Sequence, residues 1–267
     1  MEKYEILIQE LEELLREHPL AYTALQNLLE DTEIKALIEQ VNTVTVQRLF
    51  YNDHGIIHSL IVTRNAIKIA KILKKKGILF NIEKEKVGDF EDVLVCLVIG
   101  SFLHDLGNSI HRYNHDLLGV ILAKDYVLRV LEKLYKGNKE KKIRLCAYIL
   151  DTIYSHEGNF PIIALESKVV ALADSLDMEE GRARIPYKLG QPDIHKYSAL
   201  AIKKVEILEG EDKPLLIRVE MAESSGVFQI EELVMRRIKA GNMGNLLKII
   251  AHVKSTNDIV IYPKESQ

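Results

Sequence analysis

The stretch VLVCLVIGSFLHDLGNSIHRYNH, residues 93–115, holds both the most apolar helix of the chain and its densest group of histidines. Its first half is almost continuously apolar, which is typical of a helix buried on all sides. The apolar run ends in the pair His104-Asp105, and Gly107-Asn108 is typical of a left-handed helix end. His111 and His115 follow shortly afterwards. A packed core rarely contains so many titratable groups, whereas a metal site requires them.

The composition indicates a globular, nearly neutral protein. The 267 residues are 47% hydrophobic, enough for one large domain or for one large and one small domain. The net charge of −3 argues against binding to nucleic acid by bulk electrostatics. The N-terminal segment is acidic and amphipathic, unlike a signal peptide, and no stretch is long enough to span a bilayer. We therefore expect a cytoplasmic protein without a membrane or nucleic-acid partner.

Helical periodicity extends from this stretch toward both ends of the chain. A long amphipathic helix is predicted to end at Gly77, and the helix that contains Asp174 is strongly apolar. Cys96 and Cys146 lie in apolar helical contexts and are expected to be ordinary buried thiols. Helices are predicted over residues 4–17, 20–30, 32–48, 56–76, 90–106, 113–135, 140–155 and 163–180.

The pattern changes after Gly181. AIKKVEILEG and PLLIRVEMAE alternate apolar and polar residues and predict a β-hairpin. IEELVMRRIKAG predicts a helix whose MRR segment is a solvated face, and LLKIIAHVKS and DIVIY predict two more strands. We therefore predict a mostly α protein, with a helical domain over 1–188, in which residues 1–48 are an N-terminal extension, and a small α+β domain over 189–267. An exposed edge of the hairpin could pair with a second subunit, so we expect a homodimer.

Six of the nine histidines lie between residues 54 and 156, all within the predicted helical block. His54 and His58 are four residues apart, as are His111 and His115, so each pair would lie on one side of a helix. Asp174 needs a positive partner, because an unpaired buried carboxylate is costly. Taken singly, each of these residues is more often an ordinary polar side chain, but their order and setting indicate a shared site. Three histidines are expected to be ordinary polar residues: His18, His195 and His252.

This order resembles the HD superfamily of metal-dependent phosphohydrolases over roughly residues 50–185. The residues that carry the resemblance are His58 in NDHGIIHSLIVTRNA, His104-Asp105 in FLHDLG and Asp174 in ALADSLD. The resemblance implies an HD-type helical bundle in which these four residues bind a divalent metal ion.

Two further histidines match the dinuclear class of that superfamily, in which the aspartate of the HD pair bridges two ions. His115 and His156 occupy the corresponding positions, and the class includes HD-type dinucleotide polyphosphate hydrolases and cyclic dinucleotide phosphodiesterases. The phrase DSLDMEEGRARIP and the appended α+β unit more narrowly resemble an archaeal and bacterial group of predicted HD phosphohydrolases. Two departures matter: Asn108 stands where many members have lysine, and SHEGNFPI lacks the GYP signature of the cyclic dinucleotide branch.

The resemblance implies hydrolysis of a phosphate ester or anhydride, in a phosphorylated small molecule such as a nucleotide, by metal-activated water. Imidazole and carboxylate ligands suit one or two ions of Mn, Fe, Co, Ni or Zn, with Mg also possible. Proton transfer or orientation of ligands is expected from His54, His111 and Asp177. Phosphate contacts are expected from Arg182, Arg184, Arg64 and Arg112.

Two other functions fit the same residues. Some HD proteins use paired iron to activate oxygen, so a diiron oxygenase has nearly the same ligand set. A non-catalytic sensor would instead bind a nucleotide in the cleft and use the α+β unit as its output. Oxygen consumption would identify the oxygenase, whereas tight binding without turnover would identify the sensor.

Overall fold

The computed structural model describes residues 2–179, 200–253 and 259–263. The first part is helical throughout, as the sequence predicted. A π-helical turn, Thr43–Arg48, continues the third helix, and a 3₁₀ turn, Leu106–Ser109, follows the sixth. The helices are α1 (Glu2–Leu15), α2 (Pro19–Glu30), α3 (Thr32–Asn42), α4 (Ile56–Lys75), α5 (Asn81–Lys84), α6 (Phe90–Leu103), α7 (His115–Leu134), α8 (Lys139–Ser155) and α9 (Leu165–Ser175).

Helix α6 lies at the centre of the helical block. Every residue from Asp92 to Leu103 is buried, because α2, α4, α8 and α9 pack around it. The carboxylate of Asp89 caps its first turn by accepting a hydrogen bond from the backbone N–H of Asp92. A helix buried on every side has no polar face, which explains the continuous apolar run in the sequence. The end of α6 is therefore held rigidly in the core.

The predicted left-handed end at Gly107 is wrong. Gly107 does not have a positive φ, and it lies within the 3₁₀ turn after α6. A Cβ atom at this position would collide with the backbone carbonyl of His115 and would lie 2.5 Å from the backbone nitrogen of Gly119. Glycine is required here because the start of α7 packs directly against the turn, not because of its own backbone conformation.

The C-terminal part is a four-stranded sheet with one crossover helix, as predicted. The strands are β1 (Ile202–Glu209), β2 (Leu215–Met221), β3 (Leu247–Val253) and β4 (Ile259–Tyr262). Strands β1 and β2 form an antiparallel hairpin, β2 and β3 are parallel, and β3 and β4 are antiparallel, in the order β1-β2-β3-β4. The parallel pair needs a crossover connection, which the helical segment between β2 and β3 supplies. This segment consists of α10 (Val227–Gln229), a π-helical turn (Ile230–Val234) and α11 (Met235–Gly241).

The sheet unit packs against the helical block through β1, which contacts α4, and α11, which contacts α9. The backbone N–H of Ile162 donates to the carbonyl of Ala240 across this contact, at 2.9 Å. Gly158 has a φ of +68°, and a Cβ atom there would lie 3.4 Å from Cα of Arg237. The loop after α8 and helix α11 are therefore in close backbone contact.

The prediction of a mostly α protein with a small C-terminal α+β unit is confirmed. The predicted boundary between residues 188 and 189 lies outside the described residues. Cys96 and Cys146 are both buried, as expected. Within the described part of the chain, no helix is both long and apolar enough to cross a bilayer.

Candidate metal centre

The end of α6 delivers His104 and Asp105 to a cluster of buried side chains. His58, on the first turn of α4, and Asp174, near the end of α9, meet them there, and all four residues are buried. Nε2 of His58 lies 3.1 Å from Nε2 of His104 and 3.3 Å from Oδ1 of Asp174. These atoms come from three different helices, so the packing of the bundle sets their geometry.

A second group lies beside the first. His115, the first residue of α7, and His156, directly after α8, place their Nε2 atoms 3.1 Å apart. Oε1 of Glu157 lies 3.4 Å from Nε2 of His115. Three donor atoms, from His115, His156 and Glu157, are thus close enough to bind one ion together.

Asp105 joins the two groups, with one carboxylate oxygen toward each. Its Oδ2 atom lies 3.3 Å from Nε2 of His58 and 3.2 Å from Nε2 of His104. Its Oδ1 atom lies 3.4 Å from Nε2 of His115 and 3.8 Å from Nε2 of His156. A carboxylate in this position is able to bridge two cations.

The four histidines all turn Nε2 toward the cluster and place Nδ1 beside an acceptor on its other side. For three of them the acceptor is a backbone carbonyl, which cannot donate, so Nδ1 carries the proton and Nε2 presents a lone pair. Two such lone pairs at 3.1 Å repel each other unless a proton or a metal cation lies between them. The acceptors are the carbonyls of Ser101 for His104 (2.7 Å), Ile153 for His156 (2.6 Å) and Arg112 for His115 (3.1 Å), and Oδ2 of Asp177 for His58 (2.6 Å).

The pKa values show how strongly the cluster attracts positive charge. Burial lowers the pKa of His104, but Asp105 and Asp174 overcome this effect and raise it to about 10. Burial raises the pKa of the Asp105 carboxyl, yet His104 and His54 hold it well below its usual range. Burial and the neighbouring His156 lower the pKa of His115 to about 4, so this imidazole is neutral, the form that binds metals. A divalent ion would supply the positive charge that a proton on His104 otherwise provides.

His54 belongs to the cluster and His111 does not, although the sequence suggested the same role for both. Nδ1 of His54 lies 2.6 Å from Oδ2 of Asp105. His111 is exposed, and its Nδ1 accepts a hydrogen bond from the backbone N–H of Tyr113. The four-residue spacing was misleading, because α4 begins at Ile56 and α7 at His115, so neither His54 nor His111 is on a helix.

The two predicted phosphate-binding arginines that the structure describes lie in different places. Arg112 reaches the cluster, with Nη1 3.1 Å from Nε2 of His115. Arg64 pairs instead with Glu10, at 3.0 Å, in a cleft that Asp177 also lines. Arg182 and Arg184 lie outside the described residues.

Two residues at the centre were not singled out from the sequence. For Glu157, the available signal in the sequence was its position directly after His156 in SHEGNFPI. Arg237 was interpreted as part of a solvated face, and for this residue the prediction is wrong, since only 4% of it is exposed. Its Nη2 atom lies 3.1 Å from Oδ2 of Asp174, which meets the need of that carboxylate for a positive partner.

Comparison with known proteins identifies the segment that contains the metal centre as a family domain. The family model described as HD domain matches residues 55–179, a range that contains every residue of both groups. The chain belongs to the HD domain family. The Uncharacterized protein MJ1020 of Methanocaldococcus jannaschii is 40% identical to it over 232 residues, which cover 87% of this chain and 89% of that protein. No solved structure matches the chain.

HD domains form a superfamily of metal-dependent phosphohydrolases that bind divalent metals. The donor atoms of this HD domain fit such an ion, because imidazole nitrogens and carboxylate oxygens converge from every side of the cluster. Asn108, at the position where many family members have lysine, donates from Nδ2 to Oδ1 of Asp105 at 2.8 Å. The HD carboxylate is therefore oriented by an amide as well as by His54.

Proposed function

We propose that this HD protein hydrolyses a phosphate ester or anhydride bond in a phosphorylated small molecule, a nucleotide in particular, with bound divalent metal. One observation carries the proposal: the Nε2 atoms of four histidines face one another around Asp105, while every Nδ1 lies beside its own acceptor. An arrangement of this kind is stable only around positive charge. The ligands we assign are His58, His104, Asp105, His115, His156 and Asp174.

We further propose two ions. His58, His104 and Asp174 would bind one of them, and His115 and His156, with Glu157 beside them, would bind the other. The placement of one Asp105 oxygen toward each group supports this division. The mixed nitrogen and oxygen donors favour Mn, Fe, Co, Ni or Zn over Mg.

Divalent ions at such a site lower the pKa of a bound water and neutralise charge on a phosphoryl group. The residues of the chain hold and orient the reacting groups. Asp177 keeps the proton of His58 on Nδ1, and His54 shares its Nδ1 proton with Asp105. We assign His54 the transfer of a proton at its other ring nitrogen, Nε2, since its side chain is 12% exposed and lies next to the carboxylate of Asp105. Arg112 supplies charge for a phosphate oxygen.

The nucleotide part of the proposal rests on the dinuclear HD hydrolases that this chain resembles. Because SHEGNFPI lacks the GYP signature, we favour nucleoside phosphates and dinucleotide polyphosphates over cyclic dinucleotides. The homodimer also stays a prediction, and a mass from light scattering equal to one chain would contradict it.

Metal analysis of the purified protein, followed by a screen for phosphate release, tests the proposal. The screen covers nucleoside mono-, di- and triphosphates, dinucleotide polyphosphates and cyclic nucleotides. Asp105→Ala is expected to abolish both metal binding and turnover, whereas Asp125→Ala, at an exposed position on α7, is expected to change neither.

Turnover that survives in Asp105→Ala would show that the proposed mechanism is wrong. Oxygen consumption without phosphate release would identify the diiron oxygenase, and tight nucleotide binding without turnover would identify the sensor.

A further inference from the structure

Three arginine side chains converge on the carboxylate of Glu157. Nη2 of Arg236 lies 2.6 Å from Oε2, Nη2 of Arg237 lies 3.4 Å from the same oxygen, and Nη2 of Arg112 lies 3.1 Å from Oε1. The side chain of Glu157 is only 12% exposed, so these contacts occupy both of its carboxylate oxygens in a nearly buried position. The carboxylate of Glu157 thus meets three guanidinium groups, one of which, Arg237, also pairs with Asp174.

Arg237 has a structural role in this cluster. Besides Glu157 and Asp174, it donates from Nε to the backbone carbonyl of His156 at 3.3 Å and from Nη1 to that of Leu233 at 3.2 Å. Since Arg237 is buried and uses all three of its guanidinium nitrogens within the protein, it has little capacity to bind a ligand.

Arg112 and Arg236 differ from Arg237 in their exposure. Their side chains are 33% and 43% exposed, so water and a ligand can reach both guanidinium groups. They approach Glu157 from two parts of the chain, Arg112 from the turn before α7 and Arg236 from α11 in the C-terminal unit. Arg112 also contacts Nε2 of His115. The two arginines therefore lie beside the second group of donor atoms, His115, His156 and Glu157.

The position of Arg236 is fixed by the contact between α11 and the loop after α8. The hydrogen bond from Ile162 to Ala240 and the close backbone approach at Gly158 hold this helix in place. The backbone of an arginine on a helix so held is pre-organised, so only the freedom of its side chain remains to be lost when a ligand binds.

We propose that Arg236, together with Arg112, binds a phosphate group of the substrate beside His115 and His156. In the unliganded protein the carboxylate of Glu157 accepts the hydrogen bonds that phosphate oxygens would accept. Two partly exposed guanidinium groups favour a phosphate, whose oxygens match their geometry. The C-terminal α+β unit thereby contributes directly to the substrate site of the HD domain. This inference rests on the proposed function and specifies its substrate site.

Binding of inorganic phosphate to the Mn²⁺-loaded, full-length protein tests the inference without requiring turnover. In calorimetric titrations, Arg236→Gln is expected to weaken phosphate binding about tenfold, which is the loss of one charge-assisted contact. Arg236→Glu is expected to weaken it further. Arg218→Gln is the matched control, since Arg218 lies on β2 of the same unit with its side chain 45% exposed and does not contact the cluster. Its phosphate affinity should equal that of the parent protein.

The outcomes separate the inference from the proposed function. Unchanged phosphate affinity in both Arg236 variants, with normal metal content, would overturn the inference and leave the proposed hydrolase intact. Absence of phosphate binding in the parent protein, together with no phosphate release from any compound in the screen, would overturn both. A loss in Arg236→Gln equal to that in Arg218→Gln would show a general effect of surface charge and would also contradict the inference.

Discussion

Nδ1 of His58 lies 2.6 Å from Oδ2 of Asp177, three residues beyond Asp174. The same chain segment therefore supplies one candidate ligand, Asp174, and the acceptor that orients another, His58. A carboxylate in this position fixes the tautomer of the imidazole and makes its other nitrogen more basic. The relationship connects α4 to the end of α9 across the centre of the bundle.

Removal of that acceptor should weaken metal binding without removing a ligand. Asp177→Ala is expected to lower metal affinity about 10- to 100-fold. Asp177→Asn should recover part of the loss, because its amide oxygen can still accept from Nδ1 of His58. Competition with a chromophoric chelator measures both, and Asp125→Ala is the control at an exposed position. Equal affinity in all three variants would mean that Asp177 does not orient His58.

The second group of donor atoms should be separable from the first. His115→Ala is expected to lower the metal content from about two ions per chain to about one, because His58, His104 and Asp174 stay in place. His104→Ala removes a ligand from the other group and should likewise leave about one ion. Elemental analysis after dialysis gives both ratios. A His115→Ala protein that keeps the full metal content of the parent would contradict the two-ion proposal.

Gly107 should be needed for stability and for the site at the same time. Gly107→Ala places a methyl group against the backbone of α7 and should lower the free energy of unfolding by about 1–3 kcal/mol, or more if the backbone has to move. Because the displaced helix begins with His115, metal content should fall as well. Denaturant titration and elemental analysis measure the two effects.

Gly137→Ala is the matched control for that substitution. Gly137 has a φ of +81° and open space around its Cα, so alanine there should cost about 1 kcal/mol through backbone conformation alone. Its metal content should equal that of the parent protein. If Gly107→Ala had the same stability and metal content as Gly137→Ala, the close packing of the turn Leu106–Ser109 against α7 would not be important for the metal centre.

Sequence periodicity was sufficient for the fold and for most of its elements. Helices with a continuous apolar stripe, such as α4, and strands with strict alternation, such as β2, were predicted within a few residues. The errors lie at helix boundaries: α7 begins at His115 rather than at residue 113, α9 ends at Ser175 rather than at residue 180, and residues 43–48 form a π-helical turn. Such details depend on packing between distant segments, which periodicity does not report.

The candidate site was only partly accessible from the sequence. Histidines that end or begin apolar helices, such as His104 and His115, stand out in the sequence. Burial of an imidazole costs free energy unless a hydrogen-bond partner or a metal ion compensates for it. Arg237 does not stand out, since arginine on an amphipathic helix is normally exposed. Its burial follows from the docking of α11 against α9, a contact between segments about 60 residues apart that no local pattern indicates.

A buried carboxyl outside the site gives a prediction about pH. Glu166, at the start of α9, accepts a hydrogen bond from the backbone N–H of Ile82 at 2.8 Å, while its Oε2 atom has no partner among the described residues. Burial raises the pKa of Glu166, and Glu85 raises it further, whereas the backbone N–H of Ile82 lowers it. A raised pKa in the folded state means that this group stabilises the fold below its unfolded pKa. That stability is lost as the pH rises through the folded value.

Glu166→Gln removes the titrating proton and keeps the acceptor for Ile82. The free energy of unfolding of the variant minus that of the parent should therefore become more positive as the pH rises above 4.5, the ordinary glutamate pKa. Denaturant titrations with a chelator present exclude any contribution from metal release. Glu140→Gln, at an exposed position in the first turn of α8, should show no such trend. A difference for Glu166→Gln that stays constant or falls with rising pH would show that ionised Glu166 is not destabilising in the folded protein.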